Sequence, residues 1–540
     1  MRPARPLLLL LSFFIPFPLT ATAQNDAQHA KARGVALVRE IKELAPQLKS
    51  PTNRIKTQLW AGNLIWDTDE KLGREFFSDA MTWFREFLAS IKPDDPYFQT
   101  HSSMSKLRSE IALIVAQRDP DAALDFVRAT QTNDRAASPN DRSVEETSLE
   151  ISIAAKMARK DPARALRLAQ QNLKSSYSPE LPDTVWQLWE RSPELGSQLA
   201  TEIATKLMNE KLLLHPTAAS LAINLLLVTR RSEVKLAAKL NKPPILPDEL
   251  ARELLQKMVN EVSSYTPKDK WNANSSFLSL AGSLESYGAD FRAIMPGVEA
   301  ITQKKMAEVG APNIAPLNYG VEQTTVSVLV STGELQRARQ YVDEHISNPY
   351  QRQLYLDTIK KQRINIATNI GEFEEALETV RGFRDSKERG EELLVILRQI
   401  EQQLKGATAI KVLERARALL PAEVHDQSEM TPLLEIARVF SMYDSKRALE
   451  IVNPLIDQFN ELSAAARALQ GFSSEPFEAG EMNLYNGGNV PMDADHLSRV
   501  IGALALADFD GAKTAADRIR PFEVRVRAYL EIASHTIEAK

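Results

Sequence analysis

The chain reads as an all-α protein, an α-α hairpin repeat wound into a superhelix. Three observations predict it. Amphipathic stretches of helical period follow one another along most of the chain, the turns between them are short and chemically specific, and strand-type alternation is nearly absent. The turns come in two kinds, one built on a capping residue followed by proline and one built on a single glycine.

The capped turns dominate the amino-terminal half. In "ARKDPARALRLAQQNL", Asp161 suits the N-cap because its carboxylate accepts a first-turn N–H, and Pro162 suits the first helical position, where a missing N–H is no loss. Pro162, Ala165, Ala169 and Leu173 then share one stripe, with Leu166 beside it. The preceding segment puts Val144, Ser148, Ile151, Ala155 and Ala158 on another stripe, so two amphipathic helices joined by so short a turn fold back on each other. The same pattern follows at Asp119-Pro120 and Ser192-Pro193, and Phe76, Ala80, Phe84 and Phe87 mark an inward face in "LGREFFSDAMTWFREFL". Alanines at a crossing let helix backbones approach, and the larger residues fill the space where the helices diverge.

The carboxyl-terminal half repeats the idea with glycine. "VSTGELQRARQYV" and "ATNIGEFEEALETV" place Gly333 and Gly371 between helices, where the left-handed conformation carries no Cβ penalty, and Ala338 and Ala376 stand at equivalent places in the second helix. Further turns are expected near Lys405-Gly406, Asp444-Ser445 and Asp510-Gly511. The last helix shows Val526, Tyr529, Leu530, Ala533 and Ile537 on one face.

"GEFEEALETV" resembles the turn and second helix of a tetratricopeptide repeat, with Gly371 and Ala376 at the turn and helix-crossing positions of that pattern. The resemblance implies a tetratricopeptide-like solenoid. It departs from the pattern at Ile364, where the first helix usually carries glycine or alanine, and in irregular spacing. The chain also resembles exported, uncharacterised helical-repeat proteins of bacteria that carry runs similar to "KDPARALRLAQQNL", which implies an envelope location and no particular activity.

The 540 residues, 44% of them hydrophobic and 25% charged, describe a folded chain long enough for a repeat array. A net charge of -5 offers no concentrated basic face for nucleic acid. The first residues, with Arg2 and Arg5, an apolar run from Leu7 interrupted by Pro16 and Pro18, and Ala21-Thr22-Ala23, predict a signal peptide over residues 1–23 and a mature chain from Gln24. No membrane span is expected in the mature chain. The organisation expected is an amino-terminal array over 24–240, an irregular helical linker region over 241–320 opening on "NKPPILPDEL", and a second array over 321–540 with an insertion at 471–495. With no cysteine anywhere, disulfides and thiol chemistry are excluded, and a disulfide-free exported chain suits a bacterial periplasm or secretion from it.

Motifs for chemistry are missing. No two of the seven histidines lie within a helical turn of each other, so no local zinc pair exists, and neither a nucleophile elbow nor a phosphate-cradling loop is present. Asp67, Asp69 and Glu70 read as helix caps, since they lack a full calcium-loop pattern. We therefore expect no catalytic residue, no cofactor and no metal. The expected function is a scaffold or adaptor for another envelope or secreted protein or peptide, or a glycan, because stacked hairpins expose an extended surface. Partner contacts are expected at Phe477, Met482 and Tyr485 in the insertion and at Trp60 and Trp66. The alternative is a glycan-active or peptidoglycan-active enzyme with paired carboxylates, for which Glu70 and Glu75 near Trp60, Trp66 and Trp83 are the first candidates.

Overall fold

The computed structural model of the chain describes residues 19–539 apart from 92–96, 132–138, 232–241, 267–274, 310–320, 422, 426, 471–476 and 486–488. Most of the expected signal segment and parts of the expected insertion lie outside the described residues. The rest is all-α, built of repeated helical hairpins, with one two-stranded hairpin. Two compact units divide the chain: Met1–Phe76 with Thr324–Lys540, and Phe77–Gln323. Neither boundary falls near residue 240, and the first unit joins segments from both ends of the chain.

In order the helices are α1 (Leu19–Leu44), α2 (Pro51–Ile65), α3 (Glu70–Ser90), α4 (Tyr97–Arg118), α5 (Pro120–Ala129), α6 (Pro139–Met157), α7 (Pro162–Ser175), α8 (Leu181–Arg191), α9 (Pro193–Met208) and α10 (Pro216–Val228). Then come α11 (Asp248–Ser264), α12 (Ser275–Ser286), α13 (Gly288–Phe291), α14 (Val298–Glu308), α15 (Val321–Ser331), α16 (Leu335–His345), α17 (Pro349–Asn369) and α18 (Phe373–Arg381). The chain continues through α19 (Ser386–Gln403), α20 (Gly406–Arg417), α21 (Gln427–Ser441), α22 (Ser445–Ala468), β1 (Phe477–Glu478), β2 (Glu481–Met482), α23 (Asn489–Leu504), α24 (Phe509–Asp517) and α25 (Phe522–Glu538).

The turn chemistry does what its residues require. Asp119 accepts from the Ala122 N–H at 3.1 Å and Asp161 from the Arg164 N–H at 2.9 Å, each with proline in the first turn. Asp69 caps α3 through the Leu72 N–H at 3.1 Å, and this bond, foremost, holds its carboxyl below the usual range. Ser192 differs: proline follows it, but its hydroxyl makes no capping bond. The turn expected at Asp510-Gly511 lies slightly earlier, with Asp508 as the cap and Gly511 N–H donating to it at 2.8 Å. Gly333 and Gly371 have φ of 79° and 83°, and the residue after each donates back into the ending helix, Glu334 to the Leu329 carbonyl and Glu372 to the Ala367 carbonyl, both at 2.8 Å.

In the second unit, α4, α6, α8, α10 and α12 follow one another as first helices, with α5, α7, α9 and α11 packed as their partners. Ile151, Ala158, Ala165 and Ala169 are fully buried, so the predicted stripes are the hairpin interfaces. The expected linker region continues the array. Its proline segment is packed: Trp189 Nε1 donates to the Pro243 carbonyl at 2.9 Å, Ser197 reaches the Pro244 carbonyl, and Ile245 and Leu246 are buried. Trp186 and Trp189 stack at 5.6 Å and are buried at this interface.

In the first unit, α17, α19, α21, α23 and α25 pack side by side as first helices, with α18, α20, α22 and α24 as second helices. Successive second helices are linked by ion pairs: Glu374 with Arg415, Glu414 with Arg447, and Asp457 with Arg518. Exposed pairs of this kind contribute about 0–1 kcal/mol each, so the buried faces supply the stability and the pairs hold register. The row ends with a helix from the other end of the sequence. α1 packs along α25, with Leu37, Val38 and Ile41 joining the core that holds Val526, Tyr529 and Leu530, while Arg33 pairs with Asp510 and Lys513 with Glu40. A solenoid end leaves an apolar face open unless something caps it, and here the amino-terminal helix does so.

Candidate partner-binding site

Residues 477–485 of the insertion, where partner contacts are expected, form a clasp within the first unit. Its two short strands pair Phe477 with Met482 and Glu478 with Glu481 around Ala479 and Gly480, whose φ of 52° and 77° match the twist of a tight hairpin. The hairpin seats on the start of α2. Glu481 Oε2 accepts the Ser50 N–H at 3.0 Å, and Glu478 Oε2 accepts the Thr52 N–H at 3.2 Å and the Ser50 hydroxyl. Both carboxylates thereby meet the unpaired N–H groups and positive end of a helix.

Asn53 completes the seat. Its Nδ2 donates to the Met482 carbonyl at 2.8 Å and its Oδ1 accepts the Leu484 N–H at 3.2 Å, so one buried side chain acts as a strand partner. On the other side Glu523, in the first turn of α25, accepts the Met482 N–H at 3.1 Å and lies 3.4 Å from Arg467. Burial pushes the Glu523 carboxyl up, opposed by its backbone hydrogen bonds, including that from Met482, while nearby Glu481 adds to the rise.

This geometry corrects part of the expected site. Met482 is 1% exposed and Trp66 8%, so neither presents a side chain to a partner. Met482 is buried in the core of the first unit, beneath the hairpin seated on α2, and Trp66 fills the α2–α3 turn, where Gly73 leaves it room. Phe477 is half-buried against the same core, and Tyr485 lies under Lys56, whose Nζ is 4.6 Å from the ring centroid. Trp60 is 39% exposed. The carboxylates Glu70 and Glu75 are both exposed, and Glu70 is held by Arg74 at 2.8 Å, which is the environment of a solvated helix face.

An open groove lies elsewhere, across three consecutive first helices. A cavity of about 460 Å³ runs over α19, α21 and α23, with Leu394, Leu434 and Val500 among its lining. Arg398, Arg438, His496 and Arg499 line it as well, together with Glu435. Arg438 is the anchored member: it bonds Glu401 at 2.5 Å and Glu435 at 3.0 Å. Burial disfavours its charge, but the two carboxylates outweigh that and raise its pKa. In the next layer Arg527 bonds Asp495 at 3.1 Å and Glu531 at 2.6 Å.

Two guanidiniums thus occupy four carboxylates. Arg499 shares Asp495 with Arg527, and Arg398 is exposed with no ion-pair partner among the described residues. The His496 Nδ1 is buried and has no hydrogen-bond partner among the described residues. Burial, helped by Arg499, lowers the pKa of that ring, so it is neutral at pH 7. None of this was legible as a motif, because the arginines are spread over three hairpins and each looks alone like an ordinary helix-surface charge.

Among the described residues no cluster of three or more histidine, cysteine, aspartate or glutamate side chains is arranged to hold a metal ion, and no helix is long and apolar enough to cross a membrane. No protein-family model matches the chain, and no curated protein does. Among solved structures the chain is similar to a circular tandem repeat protein with novel repeat topology and enhanced subunit contact surfaces, at 12% identity over 94% of this chain and 97% of that one, with a TM-score of 0.20. The assignment as an all-α protein of repeated helical hairpins therefore rests on its own helices and their caps.

Proposed function

We propose that this protein is a tetratricopeptide-like scaffold or adaptor, exported to the periplasm or beyond, that holds a protein or peptide partner and performs no covalent chemistry. The observation that carries the reading is the groove over α19, α21 and α23, where an apolar floor is bordered by side chains whose hydrogen-bonding capacity the protein itself leaves partly unused. Such a surface suits an extended segment: the floor accepts apolar side chains and the border supplies directional bonds. Trp60, with part of its ring exposed, is a second contact of the same kind.

The test is crosslinked capture of the mature chain from a native envelope, run beside a Leu394→Asp variant that charges the groove floor. Reproducible partners lost in that variant support the scaffold. Cleavage of a glycan by the purified chain, with no partner captured, overturns it. Deleting the insertion is a poor control, because it removes the clasp on α2. Export is checked separately by the mass of the protein recovered from the periplasm, which should correspond to a first residue of Gln24.

A further inference from the structure

We infer that acid opens the groove over α19, α21 and α23: the contact of α21 with α23 is a pH-sensitive junction, in which His496 cannot take up a second proton without leaving its seat. The geometry of the ring carries this. His496 belongs to α23 and lines the cavity together with Leu434 and Glu435 of α21, and its Nδ1 is buried with no hydrogen-bond partner among the described residues. A neutral imidazole with its proton on Nε2 leaves Nδ1 a bare acceptor, whereas the imidazolium carries an N–H there as well. The second proton therefore puts a donor and a charge on an atom that meets neither water nor an acceptor, which burial penalises heavily.

The surrounding charges do not make room for it. On its own helix stand Asp495 and Arg499, on α21 Glu435 and Arg438, on α19 Arg398 and Glu401, and in the next layer on α25 Arg527 and Glu531. Asp495 is already engaged by Arg499 at 2.6 Å and Arg527 at 3.1 Å, and Glu435 by Arg438 at 3.0 Å. Burial, with repulsion from Arg499, outweighs these two carboxylates and holds the ring below its ordinary pKa of 6.5. His535 of α25 is the contrast: its Nδ1 faces the Glu531 carbonyl at 2.9 Å, so the packing already provides for an N–H there.

Once α23 lifts from α21, the His496 ring returns to water and to its ordinary pKa. The open form then binds a proton that the closed form does not. The closed contact is at full strength above pH 6.5 and weakens as pH falls through 6.5 towards the lowered value, the open-to-closed ratio rising by at most about tenfold per pH unit. Because α21 and α23 both line the groove, this opening widens it, with or without a partner bound.

The test is hydrogen–deuterium exchange of the full mature chain, read by mass spectrometry from about pH 7.5 to about pH 5.5 and normalised to the intrinsic amide rate at each pH. Amides of α21 and α23 should gain about threefold or more in normalised rate over that range, with α16 and α17 unchanged. In His496→Gln and His496→Phe, neutral at every pH, the gain should vanish. The glutamine keeps a polar group and the phenylalanine fills the space of the ring, so a folding defect in one, seen in thermal melts, leaves the other to decide. His345→Gln, which replaces an exposed histidine of α16, should keep the gain. A gain that is absent from wild type, that spreads equally to α16 and α17, or that persists in either folded His496 variant overturns the inference.

Discussion

Gly34 of α1 lies directly against Thr536 of α25. A Cβ at position 34 would meet the Thr536 hydroxyl, come within 3.0 Å of Ile537 and reach 3.3 Å from the Ala533 carbonyl. The amino-terminal helix can therefore cap the carboxyl-terminal one only because this residue has no side chain. Gly34→Leu should destabilise the first unit by about 1–3 kcal/mol, the usual cost of forcing extra carbons into a packed crossing. Gly282→Ala, where a Cβ meets nothing within 4 Å, should cost no stability. Urea denaturation of the two variants checks the contrast.

Asn53 should behave as the keystone of the clasp. Asn53→Ala strips partners from two backbone groups, the Met482 carbonyl and the Leu484 N–H, and each buried unpaired group costs about 1–3 kcal/mol. The local consequence is release of the hairpin. Limited proteolysis should cut the variant within residues 477–485 far faster than wild type, and equal cutting would mean that the seat does not hold the hairpin.

The contribution of the buried Glu523 carboxyl to the clasp should fall as pH rises. Its folded-state pKa is raised, chiefly by burial, so the folded protein keeps a proton that the unfolded chain gives up. That contribution is fully present below the ordinary glutamate value of 4.5 and is lost as pH rises through the raised one. Glu523→Gln keeps an acceptor for the Met482 N–H and removes the titration. The stability difference between variant and wild type, followed by urea midpoints, should move in favour of the variant as pH rises over this window. A difference independent of pH would refute the assignment.

The left-handed turns and the proline caps should be separable by substitution. Gly371→Ala forces a side chain into φ 83° and should cost about 1–2 kcal/mol. Asp161→Ala loses the bond to the Arg164 N–H and should cost about 1 kcal/mol. The glycine variant should not be rescued by a new cap, while Asp161→Ser should recover much of the loss. Thermal denaturation of the three proteins decides this.

Local structure was legible wherever its cause is local. Asp119, Asp161, Gly333 and Gly371 act through groups a few residues away, so their roles could be read from spacing alone, as could the stripes headed by Ala165 and Ile151. Ser192 shows the limit, since the residue suits a cap and the hydroxyl makes none. Met482 was misjudged for a related reason: an apolar residue in a turn-rich insertion looks available until something is found to cover it. The groove was invisible because Arg398, His496 and Arg499 converge only when three hairpins stack.

The sequence by itself determined an all-α chain, its turn chemistry and the inward faces of its hairpins, because capping, glycine conformation and helical period are properties of neighbouring residues. Only the tertiary structure decided that α1 closes the far end of the chain, that the hairpin of the insertion grips α2, and that Arg398 is left without a carboxylate among the described residues. Those outcomes depend on contacts such as Gly34 with Thr536 and Asn53 with Met482, between residues hundreds of positions apart. Nothing in the local pattern at either member of such a pair encodes the other, so packing alone could bring them together.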